Sequence, residues 1–229
     1  MGTQLALDLQ LRESYTFENF VVGKNALPFE LLKQISRLQG EQQLLLWGGD
    51  CCGKSHLLQA VCQLANQHKF TSTYLPLKQL IHYSPDVFDE LESIELVCID
   101  DVQKIAEHPE WQEKCFHLIN RVRATGNRLL FAADLPPNEL NLQLEDLRSR
   151  LNWGPVLQIE YLDDAEKQQA LQLRASMKGF DLPQQVAAYM LKNYSRDMAA
   201  LFEKLEQLDQ ASLQQQRRLT VPFVKTVFE

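Results

Sequence analysis

Between Leu44 and Glu160, short apolar runs alternate with longer stretches in which apolar residues recur every three or four positions. The runs are LLLW (44–47), TSTYL (71–75), ELVCID (95–100), RLLFAAD (128–134) and VLQIE (156–160). Their length and their apolar content fit strands buried on both faces. Among the intervening stretches, WQEKCFHLINRVRAT (111–125) sets Trp111, Cys115, Leu118, Ile119 and Val122 along one helical face. This alternation predicts an α/β fold, a parallel sheet flanked by helices. After Tyr161 the strand signal stops. DDAEKQQALQLRASMKG (163–179) reads as a helix closed by Gly179. PQQVAAYMLKNY (183–194) opens with a proline at a helix start. RDMAALFEKLEQLDQASLQQQ (196–216) reads as a long amphipathic helix and TVPFVKTVFE (220–229) as a last short one. The expected division is a tail over 1–12, an α/β domain over 13–160 and a small all-helical domain over 161–229.

Composition narrows the function. The 229 residues are 45% hydrophobic, enough to bury a core. There are 23 basic and 30 acidic side chains, a net charge of −7. That sign argues against broad, non-specific nucleic-acid binding, which needs a basic face to release counterions. A local basic patch stays open. The five cysteines are odd in number and show no metal-ligand spacing; Cys62 and Cys98, inside apolar stretches, read as small buried hydrophobes. No apolar run nears the ~18 residues of a membrane span, and the first residues show no basic-then-apolar export signal. The expected compartment is a reducing one, the cytoplasm.

The chemistry starts at Gly48-Gly49-Asp50-Cys51-Cys52-Gly53-Lys54-Ser55. This fits G-x-x-x-x-G-K-[ST], preceded by a strand and followed by the helical stretch SHLLQAVCQLANQ. Such a loop turns backbone N–H groups towards phosphates at a helix N-terminus. Lys54 would reach the outer phosphates, and the Ser55 hydroxyl would ligate Mg²⁺. Read blandly, the stretch is a glycine-rich turn; Cys51 and Cys52 are either plain loop residues or a strained redox pair. LVCIDD ends in Asp100 and Asp101 at the carboxyl end of a strand, where α/β folds bind ligands. Asp100 is placed to hold Mg²⁺ and Asp101 to orient an attacking water, unless both are solvated strand-end acids.

These residues, in this order, resemble the AAA+ ATPases of the DnaA family over about residues 14 to 229. YTFENFVVGKN (15–25) is similar to the family segment that lines the base and ribose, which implies contacts from Val21, Val22 and Asn25. GGDCCGKSHLL resembles the family's Walker A, which implies nucleotide contacts from Gly49, Asp50, Cys51, Cys52, Gly53, Lys54, Ser55 and His56; Cys51 stands where the family usually has glycine. LVCIDDVQ resembles its Walker B, with Asp101 in place of the glutamate many AAA+ engines use, which implies slow intrinsic turnover. LLFAADLPPNEL (129–140) is similar to the sensor 1 region, with Asp134 at the polar position. LRSRLNWG (147–154) resembles the box that carries an arginine finger, with Arg150 at that position and Arg148 competing for it. YSRDMAALFEKLEQLD (194–209) is similar to the sensor 2 helix, in which Arg196 would join lid and phosphates. The resemblance implies a P-loop AAA+ domain with a helical lid, binding ATP or ADP with Mg²⁺. Catalytic roles fall to Arg150 and Asp101, and metal ligation to Ser55 and Asp100.

Initiators of this family continue into a DNA-binding domain after the lid; this chain stops at Glu229, so the resemblance is to an initiator core without its DNA reader. In the tail, QLALDL is similar to peptides that dock on the bacterial DNA polymerase III sliding clamp. Gln4 offers a donor and an acceptor, and Leu5, Leu7 and Leu9 are apolar anchors on an extended segment. A tail strand packed on its own domain stays an alternative. Together these features resemble the DnaA-homologous regulatory inactivators (Hda type). That likeness implies a negative regulator of replication initiation. Bound to the clamp on DNA, it would stimulate ATP hydrolysis by DnaA through an arginine finger in trans. Its expected partners are DnaA and the clamp, with no membrane and no strong DNA binding of its own; self-association is left open. Two other readings keep the same core, a helicase loader and a nucleotide-gated adaptor.

Overall fold

The apolar runs become strands that lie side by side. In the computed structural model, which describes Leu11 and residues 15–228, α1 (Ala26–Ile35) precedes β1 (Gln43–Trp47), α2 (Lys54–Gln67), β2 (Ser72–Pro76) and the short α3 (Leu77–Leu80). There follow β3 (Leu96–Asp100), α4 (Pro109–Thr125), β4 (Arg128–Ala133), α5 (Glu145–Leu151) and β5 (Val156–Gln158). Short 3₁₀ turns at Pro85–Phe88, Leu91–Ser93 and Val102–Ile105 complete the connections. Gln4, Leu5, Leu7 and Leu9 lie outside the described residues.

The sheet has the order β2-β3-β4-β1-β5 and every pair is parallel. Parallel neighbours need crossover connections, and the helices supply them. Burial follows: β3 is buried along its whole length, and Leu44, Leu45 and Leu46 of β1 are all but inaccessible. Pro76, which has no N–H to give a ladder, ends the edge strand β2. On one side of the sheet, Leu45, Val97, Ile99, Leu129 and Phe131 pack in one core with Trp111, Cys115 and Leu118 of α4. Phe88, from the first 3₁₀ turn, meets Trp111 edge to face at 5.3 Å. Cys62, Cys98 and Cys115 are fully buried, as small hydrophobes are, and burial alone pushes the Cys115 thiol up to about 12.

The described residues divide into two units, residues 15–18 with 25–159, and residues 19–24 with 160–228. The second unit holds α6 (Asp164–Met177), α7 (Gln184–Asn193), α8 (Met198–Gln215) and α9 (Val221–Phe228). Asp163 and Glu166 form a reciprocal capping box at the start of α6. The unit's own core gathers Leu171, Val186, Met190, Leu201, Leu205 and Phe223. Among the described residues no helix is long and apolar enough to cross a membrane.

One buried polar side chain fixes where α5 begins. Gln112 is 1% exposed. Its Nε2 donates to the carbonyls of Ile105 (3.0 Å) and Ala106 (2.8 Å), and its Oε1 accepts from the N–H of Leu144 (3.0 Å), the residue that caps α5. Gln112→Leu keeps the volume and removes all three partners. Each buried backbone group left without a partner costs about 1–3 kcal/mol, so chemical unfolding should show a loss of at least ~2 kcal/mol. An unchanged denaturation midpoint would remove Gln112 from this role.

Candidate nucleotide site

The loop between β1 and α2 is shaped by its glycines. A Cβ on Gly48 would sit 2.6 Å from the Ile159 carbonyl oxygen and 3.0 Å from Cys52 Sγ, so only glycine fits. Gly53 precedes α2 with φ +105°, a left-handed conformation, and offers no side-chain cap. The first N–H groups of α2 therefore keep their capacity for an anion. Lys54, 8% exposed, donates from Nζ to the carbonyls of Gly48 (2.7 Å) and Gly49 (2.8 Å) and lies 3.8 Å from Cys52 Sγ. Burial pushes the Cys52 thiol up. Asp50, Cys51 and Ser55 are exposed along the loop and the first turn of α2. Cys51 has φ +59°. A left-handed conformation costs a residue with a Cβ roughly 1–2 kcal/mol, so the loop keeps a glycine-type backbone at a position that carries cysteine. No disulfide joins Cys51 and Cys52.

A second cluster forms where β2 and β3 end. Asp100 is 1% exposed. Its Oδ2 accepts from the Tyr74 hydroxyl (2.7 Å) and its Oδ1 from the Asp101 N–H (2.9 Å). The side chains of Ser55 and Gln59 lie near enough to the Tyr74 hydroxyl to act on it, so it stands between the start of α2 and the end of β3. Burial, and then the charge of Asp100, hold the Tyr74 phenol well above its ordinary range. Tyr74 is a site residue that sequence reasoning missed; the available signal was a tyrosine in a strand beside the acidic one. Ser55 and Asp100 both offer hard oxygen donors, the ligand type Mg²⁺ takes. Asp101, with φ +59°, accepts from Gln103 Nε2 at 3.2 Å. Burial, reinforced by Asp100, raises its carboxyl above the ordinary range against the pull of Lys78 and Lys104.

Asp134 directly follows β4. Because Ala133 pairs with Trp47, Asp134 stands level with Gly48. Its Oδ1 is buried without a hydrogen-bond partner, which marks it for a contact from outside the chain. His56 stacks on Tyr15 at 4.7 Å, and its Nε2 lies 2.8 Å from the Thr16 carbonyl. Asn25, 2% exposed, begins α1. The first unit therefore gathers residues 49–56, Asp100, Asp101 and Asp134 at the carboxyl ends of β1, β3 and β4. Val21, Val22 and Arg196 belong to the second unit. There Arg196 donates from Nη2 to Asp164 Oδ2 at 2.9 Å, an exposed ion pair, and its carbonyl accepts from Lys167.

Arg150 lies elsewhere in the first unit. Its carbonyl accepts from Gln43 Nε2 at 2.7 Å, at the amino end of β1. The phosphate loop leaves the opposite end of that strand, four residues on, about 13 Å away at ~3.3 Å per residue. The Arg150 guanidinium stacks on Trp153, 3.7 Å from the ring centroid. Arg148, its competitor, commits Nη2 to the Leu142 carbonyl at 2.6 Å.

Two family models cover this chain. Residues 11–158 match the bacterial DnaA ATPase domain, and residues 164–228 match the lid domain of Hda. Among solved structures, domain III of the Thermotoga maritima replication initiation protein DnaA superposes with a TM-score of 0.84 at 22% identity, over 96% of this chain and 97% of that one. AMPPCP-bound DnaA from Aquifex aeolicus gives 0.75 at 24% identity, over 89% and 68%. The RuvB Holliday junction branch migration motor of Thermotoga maritima gives 0.67 at 16% identity, over 89% and 66%. The predicted α/β fold with its helical C-terminal region is the AAA+ fold these structures share.

The raised carboxyl of Asp101 makes a prediction with a sign. A carboxyl whose folded value lies above 3.8, its ordinary value, withdraws stability as pH rises through the folded value. Asp101→Asn, which also tolerates the left-handed backbone, should melt above the unmodified protein at neutral pH. The gap should close as pH falls below 3.8. A gap that ignores pH would contradict the burial of this charge.

Proposed function

The chain belongs to the family of the bacterial DnaA ATPase domain, and from that premise we propose that it regulates replication initiation by completing the active site of a DnaA molecule. It holds ATP or ADP, with Mg²⁺ on Ser55 and Asp100, Lys54 on the outer phosphates and Asp134 and His56 nearby. Its nucleotide sets the shape of an interface, with Val21, Val22 and Asn25 on the base side and Arg196 reporting nucleotide state through the lid. Arg150 reaches the γ-phosphate held by DnaA, and hydrolysis there leaves the initiator in its ADP form. The match to the Hda lid over residues 164–228 supports a regulator over an initiator. The net charge of −7 supports a protein brought to DNA by another, here the sliding clamp engaged by Gln4, Leu5, Leu7 and Leu9.

One observation carries this reading. Arg150 is anchored at the amino end of β1 and the chain's own phosphate loop leaves the carboxyl end. A guanidinium so far from the phosphates of its own chain is suited to serve another's. Asp101, one methylene shorter than a glutamate, supports slow turnover of the chain's own nucleotide. Mg²⁺ supplies charge neutralisation at the phosphates when bound; the protein side chains orient and hold.

Arginine fingers contribute about 10³–10⁵ in rate, or roughly 4–7 kcal/mol of barrier. With ATP-loaded DnaA and clamp on DNA, Arg150→Ala should lower stimulated hydrolysis by ~10³-fold or more, while Lys54→Ala acts through loss of the chain's own nucleotide. Undiminished hydrolysis with Arg150→Ala would leave a nucleotide-gated adaptor. Deleting residues 1–10 should abolish capture by immobilised clamp and keep nucleotide binding; clamp capture that survives the deletion removes the tail from the account.

A further inference from the structure

A finger must be ready before its partner arrives. Arginine has a long side chain with many rotamers, and Arg150 is only half-buried. The means of holding it lies three residues on. The Arg150 guanidinium carbon is 3.7 Å from the Trp153 ring centroid, and that of Arg123 is 3.9 Å away. Two guanidinium groups that near one indole cannot share a face, so the ring is clamped between them. Phe116, with its ring 5.4 Å from the Arg150 guanidinium, adds a second aromatic neighbour. Arg150 Nε is buried without a hydrogen-bond partner, and among the described residues no carboxylate pairs with Arg150.

The backbone under the indole is fixed as well. The Trp153 N–H donates to the Arg150 carbonyl at 3.1 Å, and that same carbonyl accepts from Gln43. Any side chain on Gly154 would overlap the Gln43 carbonyl, so the chain after Trp153 presses directly on β1. Trp153 itself is 38% exposed, more than packing alone asks of a tryptophan.

We propose that Trp153 is a positioning residue for Arg150: clamped on its other face by Arg123, the indole pre-sets the guanidinium and leaves its N–H donors available to the γ-phosphate of the partner. The inference rests on the reading of Arg150 as a finger in trans. Order established before the encounter lowers the barrier of the chemical step and leaves the affinity between the partners alone.

The test is hydrolysis by ATP-loaded DnaA at increasing concentrations of the full-length chain, with clamp on DNA. Trp153→Leu keeps apolar bulk without a ring, and Trp153→Phe keeps a ring; comparing them separates stacking from packing and from a folding defect. Trp153→Leu should lower the maximal stimulated rate about 2- to 5-fold, the scale of a solvent-exposed cation–π contact. The concentration giving half the maximum should not move, and Trp153→Phe should retain most of the rate. The double variant Arg150→Ala, Trp153→Leu should be no slower than Arg150→Ala alone. The proposal is overturned if Arg150→Ala lowers the rate and Trp153→Leu does not, if Leu and Phe behave alike, or if the two losses multiply. A rate indifferent to Arg150→Ala sinks the finger reading itself and this inference with it.

Discussion

The contact between Gln43 and the α5–β5 turn sets the geometry on which the rest depends. At the amino end of β1 the Gln43 side chain holds the Arg150 carbonyl, and its backbone presses on Gly154. The other end of β1 opens into the phosphate loop. In a parallel sheet all carboxyl ends face one way, which collects Gly48 to Ser55, Asp100 and Asp134 on one side. The turn into β5 must return to the opposite side before a new parallel strand can begin. Arg150 sits in the last turn of α5, just before that return, so topology, and not a local side chain, keeps it from its own loop.

The loop itself shows how surroundings impose a backbone. Cys51 takes a left-handed conformation at a cost comparable with one or two hydrogen bonds. That cost is met by contacts on both flanks. Gly48 is locked against Ile159, and Lys54 ties the carbonyls of Gly48 and Gly49 from below. Tyr74, from the neighbouring strand, then holds the Asp100 carboxylate in place at the end of β3.

Elements whose signal is local were legible. Runs such as LVCI (96–99) announce a buried strand because every position is apolar, and the motif from Gly48 to Ser55 announces its loop because both spacing and flanks agree. Even here the ends moved: β2 runs on to Pro76, and β5 stops at Gln158. α1 escaped notice because Phe29, Leu32 and Ile35 show helical spacing only over a short, proline-containing stretch. Tyr74 and Trp153 escaped because their roles are pairwise, and neither Asp100 nor Arg123 is near its partner in sequence. The choice of Arg150 over Arg148 came from the resemblance and had no local signature of its own, since both lie on one short helix and differ only in what each guanidinium touches. That residues 19–24 group with the helical unit is a long-range fact with no local signature.

An excess of acid endangers a bare arginine. With 30 acidic against 23 basic side chains, arginines on this chain readily find carboxylates: Arg121 with Glu92 at 2.9 Å, Arg174 with Glu206 at 3.6 Å, Arg196 with Asp164 at 2.9 Å. The exposed pair of Arg196 and Asp164 contributes about 0–1 kcal/mol to folding. A pair of that kind on a finger would be harmful, because the incoming phosphate would first have to displace it. The donors of a guanidinium lie in its plane, and a carboxylate takes that rim. An aromatic ring takes the face and leaves the rim open. A backbone carbonyl, as Arg148 finds at Leu142, takes the rim as well, whereas stacking on Trp153 holds the Arg150 charge in place without consuming its donors.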